Sequence, residues 1–438
     1  MKIGFISLGC SKNLVDTEML IGLFEKNKHK IVNNPKEAET IIINTCGFIE
    51  SAKQEAIDTI FEMLEYKKGK CKYVVVMGCL VQRYKKELEK EIPEVDLFIS
   101  IDEYDDIWEK INKLIGKKNN EEENDKLEYL NRKITTGENF AYLKIAEGCS
   151  NKCTYCAIPY IRGPFVSRKI EDILIEAEGL AKKGIKELIV IAQDTTKYGI
   201  DIYGKPMLAE LLEELCKIQE IKWIRFLYSY PESITDELLE IVKTNKKICK
   251  YFDIPIQHIS NKVLKRMNRK TTGESIRKLI TKIRNEIPEA IIRTTLIVGF
   301  PGETKEDFKE LYEFVRTYKF DKLGCFAYSK EDGTPASRLK EQVHYKTKIS
   351  RLNKIMSIQK EISKKSLEKN IDKEYECLIE GKTFDNKYYI GRTYMDVPDI
   401  DGLVYIKNTK PLKNGEFINI KIDNVLDYDL VGEIINEN

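Results

Sequence analysis

AYLKIAEGCSNKCTYC (141–156) runs seven mostly apolar residues straight into three cysteines. The apolar half reads as a β-strand, and Cys149, Cys153 and Cys156 follow in one loop at C-x3-C-x2-C spacing. Cysteine thiolates at such spacing bind iron–sulfur clusters. A structural zinc site asks for four protein ligands. Here no fourth cysteine is near, and no histidine follows within a hundred residues. Buried structural thiols and a zinc loop are the bland alternatives, and zinc fits poorly. Three ligands on a four-iron cluster leave one iron open to a small molecule. Five further apolar runs follow: ELIVIAQ (187–193), WIRFLYS (223–229), YFDIPIQ (251–257), IIRTTLIVG (291–299) and LGCFAYS (323–329). Helical patterns separate them, so residues 139–370 are expected to form six βα units. That is an open or closed barrel whose function lies at the carboxyl ends of its strands.

Upstream, residues 1–115 repeat the alternation. Strands are expected at 2–8, 40–44, 73–77 and 97–100, with helices near 13–27, 51–66 and 82–91, the pattern of a doubly wound parallel sheet. Cys10, Cys46 and Cys79 each end an apolar run (IGFISLGC, TIIINTC, YVVVMGC) and lie 36 and 33 residues apart, one βα unit each. A lone cysteine is often just a small buried apolar residue. Three at corresponding strand ends meet where such sheets bind ligands, so a second three-cysteine site is expected. Gly9 and Gly78 precede two of them and ease close backbone approach.

Between these regions, 116–138 is expected to be a linker, exposed at the charge-dense GKKNNEEENDK (116–126). A long amphipathic helix over 344–370 carries Ile349, Leu352 and Met356 in one stripe, broadened by Ile355, Ile358 and Ile362. Five short strand-like runs over 371–438 predict a small β-barrel. The expected class is therefore α/β: a doubly wound sheet, a (β/α)6 partial barrel and a C-terminal β-barrel.

Bulk properties agree. The chain has 438 residues, 42% hydrophobic and 33% charged, with net charge +2, so two to four domains are expected and no global pull toward nucleic acid or anionic lipid. No apolar run nears the roughly eighteen residues of a membrane span, and the N-terminus reads as a strand, not a leader. Eleven cysteines with this spacing suggest metal ligation in a reducing cytoplasm.

CSNKCTYC after the first strand of a six-unit barrel resembles the radical S-adenosylmethionine (SAM) superfamily. The resemblance implies a 4Fe–4S cluster whose open iron chelates SAM and yields a 5′-deoxyadenosyl radical. It also implies Tyr155 against the adenine and TLIVGFPGET (295–304) beside the nucleoside. Gln193 and Arg293 are further candidate contacts to the cofactor. SLGCSKNLVDTE, NTCGFIES and VMGCLVQRY are similar to the N-terminal domain of the methylthiotransferases. That family joins such a domain to a radical SAM barrel and a C-terminal TRAM barrel. The resemblance implies two 4Fe–4S clusters, on Cys10, Cys46 and Cys79 and on Cys149, Cys153 and Cys156. The first carries the inserted sulfur, one SAM methylates that sulfur, and a second supplies the radical. An electron donor and a sulfur donor are implied as partners. No catalytic side chain beyond the cluster ligands is assigned.

Two branches of the family differ in substrate. One modifies an adenosine of tRNA; the other modifies an aspartate of small-subunit ribosomal protein twelve. SLGCSKNLVDTE, INTCGFIESA, AQDTTKYG and GRTYMDVPDIDG resemble the second. Residues 371–438 hold fourteen Asp and Glu against eight Lys and Arg, net −6. Phosphate contacts need cations, so this barrel is expected to suit a basic protein better than tRNA, with DVPDID (396–401) as a docking stretch. A non-enzymatic iron–sulfur RNA-binding protein is the alternative of another class; it gives no reason for two open three-cysteine sites. His258 is a weaker candidate for the cleft. Cys71, Cys216, Cys249, Cys325 and Cys377 read as ordinary thiols.

Overall fold

The computed structural model describes residues 1–116, 126–407 and 411–435. They form two compact units. One comprises Met1–Thr135, Ala146–Val166 and Glu331–Thr334; the other comprises Thr136–Ile145, Ser167–Lys330 and Pro335–Asn438.

The first unit is built on β1 (Lys2–Ser7), α1 (Ser11–Lys26), β2 (Lys30–Val32), β3 (Thr40–Thr45), α2 (Glu50–Leu64), β4 (Tyr73–Gly78), α3 (Cys79–Glu91), β5 (Leu97–Ile99) and α4 (Ile107–Leu114). The strands are parallel in the order β2-β1-β3-β4-β5. Alternate side chains of a strand point to opposite faces, and both faces here are covered. Ile42, Val75 and Met77 pack with Leu20, Phe24, Trp108 and Ile111 of α1 and α4. Ile41, Ile43, Val74 and Val76 pack with Ala56, Ile60, Leu80 and Val81 of α2 and α3. Burial on both sides explains the unbroken runs IIIN and VVVM. Each such side chain contributes about 1.5–3 kcal/mol. Because α1 and α2 lie on opposite faces, the chain reverses between β1 and β3, and the crevice beyond their carboxyl ends is the expected ligand position. The ladder pairs Ser7 with Asn44 and Thr45 with Gly78, so the residues that follow β1, β3 and β4 emerge at one edge.

Part of the expected linker is tied down. Residues 117–125 lie outside the described residues. The Arg132 guanidinium meets Glu18 with both side chains buried, and Thr135 donates to the same carboxylate from N at 2.7 Å and Oγ1 at 3.0 Å. Gly22 permits this contact: a Cβ there would overlap Asn131 O and lie 2.9 Å from Arg132 Cα.

In the second unit, Phe140–Lys144, Glu187–Ile191 and Trp223–Phe226 form one parallel sheet. Tyr251–Asp253, Ile291–Val298 and Lys322–Ala327 form another. Bonds from Ile224 N to Lys247 O (2.8 Å) and Ser229 N to Asp253 O (2.8 Å) join them, giving a six-stranded partial barrel. Helix Tyr345–Glu368 packs beside it. Its buried line runs through Ile355, Gln359 and Ser363, not the Ile349, Leu352 and Met356 stripe read from apolarity. Gln359 is accepted inside because its amide donates to Phe320 O at 2.8 Å.

The last five strands, Glu374–Lys382, Tyr388–Arg392, Val404–Lys407, Phe417–Val425 and Leu430–Ile434, close into a barrel. It caps the amino-terminal ends of the partial barrel through the first residues of four strands. Glu187 accepts from Arg392 at 2.8 Å, with Arg225 Nε at 2.9 Å on its other oxygen. Trp223 meets Phe417 edge to face at 4.9 Å. Tyr251 donates to Asp401 at 2.7 Å, and Lys322 pairs with Asp396 at 2.7 Å. The DVPDID stretch is thus not an acidic docking surface as expected. Asp396 is buried and Asp401 is engaged inside, so that of its three acids only Asp399 is exposed.

Candidate cluster-binding site

Cys10 sits two residues beyond the loop-opening Leu8 and caps α1, with Leu14 N donating to its carbonyl at 3.1 Å. Cys46 follows β3, and Cys79 is the first residue of α3. Close backbone approach brings these ends together. Gly9 has φ +88°, and a Cβ on it would stand 2.7 Å from Cys46 Cβ and 3.1 Å from Cys46 Sγ. A Cβ on Gly47 would stand 2.7 Å from Leu80 Cα. Gly78, at φ +100°, would drive a Cβ into Asn44 Oδ1. Cys10 is exposed, Cys46 half-buried and Cys79 buried. Burial pushes the Cys79 thiol up to about 11, and the thiols of Cys10 and Cys46 push the same way, while Arg162 opposes them. Burial and Cys10 likewise raise Cys46. Thiols in such a setting ionise readily only against added positive charge, which a metal cluster supplies.

The second cysteine loop closes on itself. Cys149 N donates to Gly163 O at 3.0 Å and Cys156 N to Cys153 O at 3.1 Å. Gly148 (φ +72°) leaves no room for a Cβ beside Pro164 O. Cys149 and Cys153 are buried and Cys156 is half-exposed. Directly after Cys156, Ala157 leads into a short helix, α5 (Ile158–Arg162). Ala157 and Ile161 pack against Cys79. Thus the residue that follows the last cysteine of one set touches a cysteine of the other, inside one compact unit.

A polar network backs this contact. Asn13 donates to Leu8 O (3.1 Å) and Thr45 O (3.0 Å), tying α1 to the ends of β1 and β3. Asn44 donates to Asn13 O at 2.8 Å. Cys79 Sγ lies 3.4 Å from Asn13 Oδ1. Arg162, its side chain 2% exposed, donates to Asp16 at 2.7 Å and Glu147 at 3.3 Å, to Asn13 Oδ1, and to Cys79 Sγ at 3.6 Å. Sequence reasoning missed Asn13, Asp16 and Arg162. The signals were a polar residue set at helical spacing in SKNLVDTE and the IRGP that closes the cysteine loop.

Among the described residues no three His, Cys, Asp or Glu side chains gather closely enough to hold one metal ion. A four-iron cluster is broader than an ion, and its ligand sulfurs stand further apart. Both cysteine sets offer the soft donors such a cluster needs, on backbone shaped for close approach, and so fit it.

The other candidates fall variously. Tyr155 is half-buried within the cysteine loop. Gln193 lies two residues past the strand Glu187–Ile191 in the second unit. Arg293, on the fifth barrel strand, is engaged by Asp253 at 2.8 Å. His258 is fully buried, accepts from Ser260 N at 3.0 Å, and is held neutral by burial down to about 3.

Comparison with known proteins supplies the class. Residues 143–315 match the radical SAM superfamily, 371–435 the TRAM domain, and 2–100 an uncharacterized protein family, UPF0004. The fold is similar to a radical SAM methyltransferase, TsrM of Kitasatospora setae, with TM-score 0.57 at 13% identity over 76% of each chain. The chain is a radical SAM methylthiotransferase. It is 66% identical over its whole length, and that of the relative, to the ribosomal protein uS12 methylthiotransferase RimO of Alkaliphilus oremlandii. It is 53% identical to the RimO of Acetivibrio thermocellus, over all of this chain and 99% of that one. The chain belongs to the RimO family.

Proposed function

We propose that this protein inserts a methylthio group at the β-carbon of an aspartate in ribosomal protein uS12, in the cytoplasm, using two 4Fe–4S clusters. Cys149, Cys153 and Cys156 hold the cluster that binds SAM, and Cys10, Cys46 and Cys79 hold the one that carries sulfur. The contact of Ala157 and Ile161 with Cys79 carries the reading: sulfur transfer needs both sites within reach of one substrate carbon, and α5 joins them. When bound and reduced, the cluster on Cys149, Cys153 and Cys156 with SAM would supply a radical able to take hydrogen from an unreactive C–H bond. The chain's own part is to hold the parts in place and keep bulk water from them. The loop closure Cys149 N to Gly163 O fixes one ligand set. The Asn13 bonds to the ends of β1 and β3 fix the other. Tyr155 is assigned toward SAM through the family resemblance, Gln193 by its place beyond the second barrel strand, and Arg293, itself paired with Asp253, as a cation for a carboxylate. Sulfur and electrons come from separate donors.

The full-length similarity to uS12 methylthiotransferases supports the protein substrate over tRNA. The net charge of −6 over 371–438 is consistent with it, since an acidic barrel makes a poor phosphate clamp. The test is mass spectrometry of uS12 and of bulk tRNA from cells lacking the gene. Loss of the methylthio mass from the aspartate of uS12 is expected. Loss from tRNA alone would reverse the substrate. In anaerobic, reconstituted protein Cys153→Ala should abolish 5′-deoxyadenosine formation, whereas Cys46→Ala should keep it and lose methylthio product. A wild-type protein that never cleaves SAM would favour an RNA-binding role.

A further inference from the structure

Arg162 stands where neither cysteine set alone would place a cation. It is the last residue of α5, one position before the Gly163 carbonyl that closes the loop of Cys149, Cys153 and Cys156. Yet its guanidinium points to the other set. One nitrogen donates to Cys79 Sγ at 3.6 Å, and the other to Asp16 at 2.7 Å. The side chain is 2% exposed, as is Asp16. Asp16 and Glu147 account for the charge pairing on one nitrogen; the second nitrogen, bonded to Asn13 Oδ1, also reaches the Cys79 sulfur. Asp16 and Asn13 sit one helical turn apart on α1 and grip the guanidinium from the same side, so its planar fork has one orientation. That orientation directs an N–H at the Cys79 sulfur.

Hydrogen bonds to ligand sulfurs and nearby charge set the reduction potential of an iron–sulfur cluster. Both effects here favour the more negative, reduced state. We propose that Arg162 is a positioning residue that donates an N–H···S bond to Cys79, raises the reduction potential of the cluster on Cys10, Cys46 and Cys79, and locks that site to the loop carrying the other three cysteines. This rests on the two-cluster reading above.

The experiment uses full-length protein in which Cys149, Cys153 and Cys156 are alanine, so that only the N-terminal cluster is loaded. Iron and sulfide per chain are counted first. If this protein holds no four-iron cluster, the two-cluster reading itself fails. If it does, potentiometric titration followed by electron paramagnetic resonance gives the midpoint. Arg162→Gln should lower the midpoint, by about 59 mV for a tenfold change in the one-electron equilibrium. Because Gln takes a buried cationic partner from Asp16, a second variant, Arg162→Gln with Asp16→Asn, removes both charges. Its net local charge equals that of the parent, so a midpoint still below the parent value reports the lost N–H···S bond. A parent-like midpoint in either variant, with the cluster present, would overturn the proposal.

Discussion

Replacing Glu187 with glutamine keeps the side chain's shape and removes its charge. Glu187 is fully buried, with Arg225 Nε at 2.9 Å and Arg392 at 2.8 Å. Arg392 retains Glu380 as a second partner. Arg225 also donates to Tyr394 O at 2.7 Å, but loses its directly bonded carboxylate. Breaking a buried pair from one side costs about 3–5 kcal/mol, because the remaining charge is left uncompensated. At about 1.4 kcal/mol per tenfold, the opening equilibrium of the loop 392–401 should rise by roughly two to more than three orders of magnitude. Amide hydrogen exchange across that loop reads this directly. Replacing Glu187 and Arg225 together by methionine should recover most of the protection. The pH arm follows from the carboxyl's own shift. Burial opposes ionisation of Glu187, but Arg392 and Arg225 outweigh it and hold its pKa below the ordinary carboxyl value. Its stabilisation is therefore complete above that ordinary value and lost as pH falls through the lower folded one. Exchange in Glu187→Gln within about twofold of wild type at neutral pH would refute the account of how the terminal barrel is attached, since the broken pair should cost far more.

Gly78→Ala places a Cβ at φ +100° against Asn44 Oδ1. A side chain in that backbone conformation, which is essentially restricted to glycine, alone costs about 1–3 kcal/mol, and iron per chain should fall to about half while SAM cleavage survives. Gly22→Ala should displace residues 131–135 from α1 at about 1–3 kcal/mol, seen as faster tryptic cleavage after Arg132 and Lys133. Cys46→Ala and Cys153→Ala should split the two activities as described above, checked by 5′-deoxyadenosine and methylthio product in parallel.

The strand ends at Cys10, Cys46 and Cys79 were legible because apolar runs and spacing are local signals. So were the six barrel strands and the five of the terminal barrel. What escaped was pairing across distance. Nothing in DVPDID distinguishes an acid facing solvent from Asp396, whose partner Lys322 lies 74 residues away. Arg162 escaped for the same reason, since its partners Asn13, Asp16 and Cys79 belong to a different stretch of chain. Strand β2, three residues long and with no buried side chain, offers no apolar run to read, unlike the equally short β5. Helix α4 does carry an apolar stripe at Ile107, Trp108 and Ile111, but at eight residues it is short and runs into the charge-dense stretch that follows.

Because Ala146–Val166 folds with the N-terminal sheet and not with the barrel whose family model it matches, the gene's modular seams and the molecule's physical seams disagree. A fragment cut near residue 135 would keep Asp16 but lose its guanidinium, and one begun near 139 would do the reverse. Either cut would separate a buried ion pair that the whole chain keeps inside one compact unit.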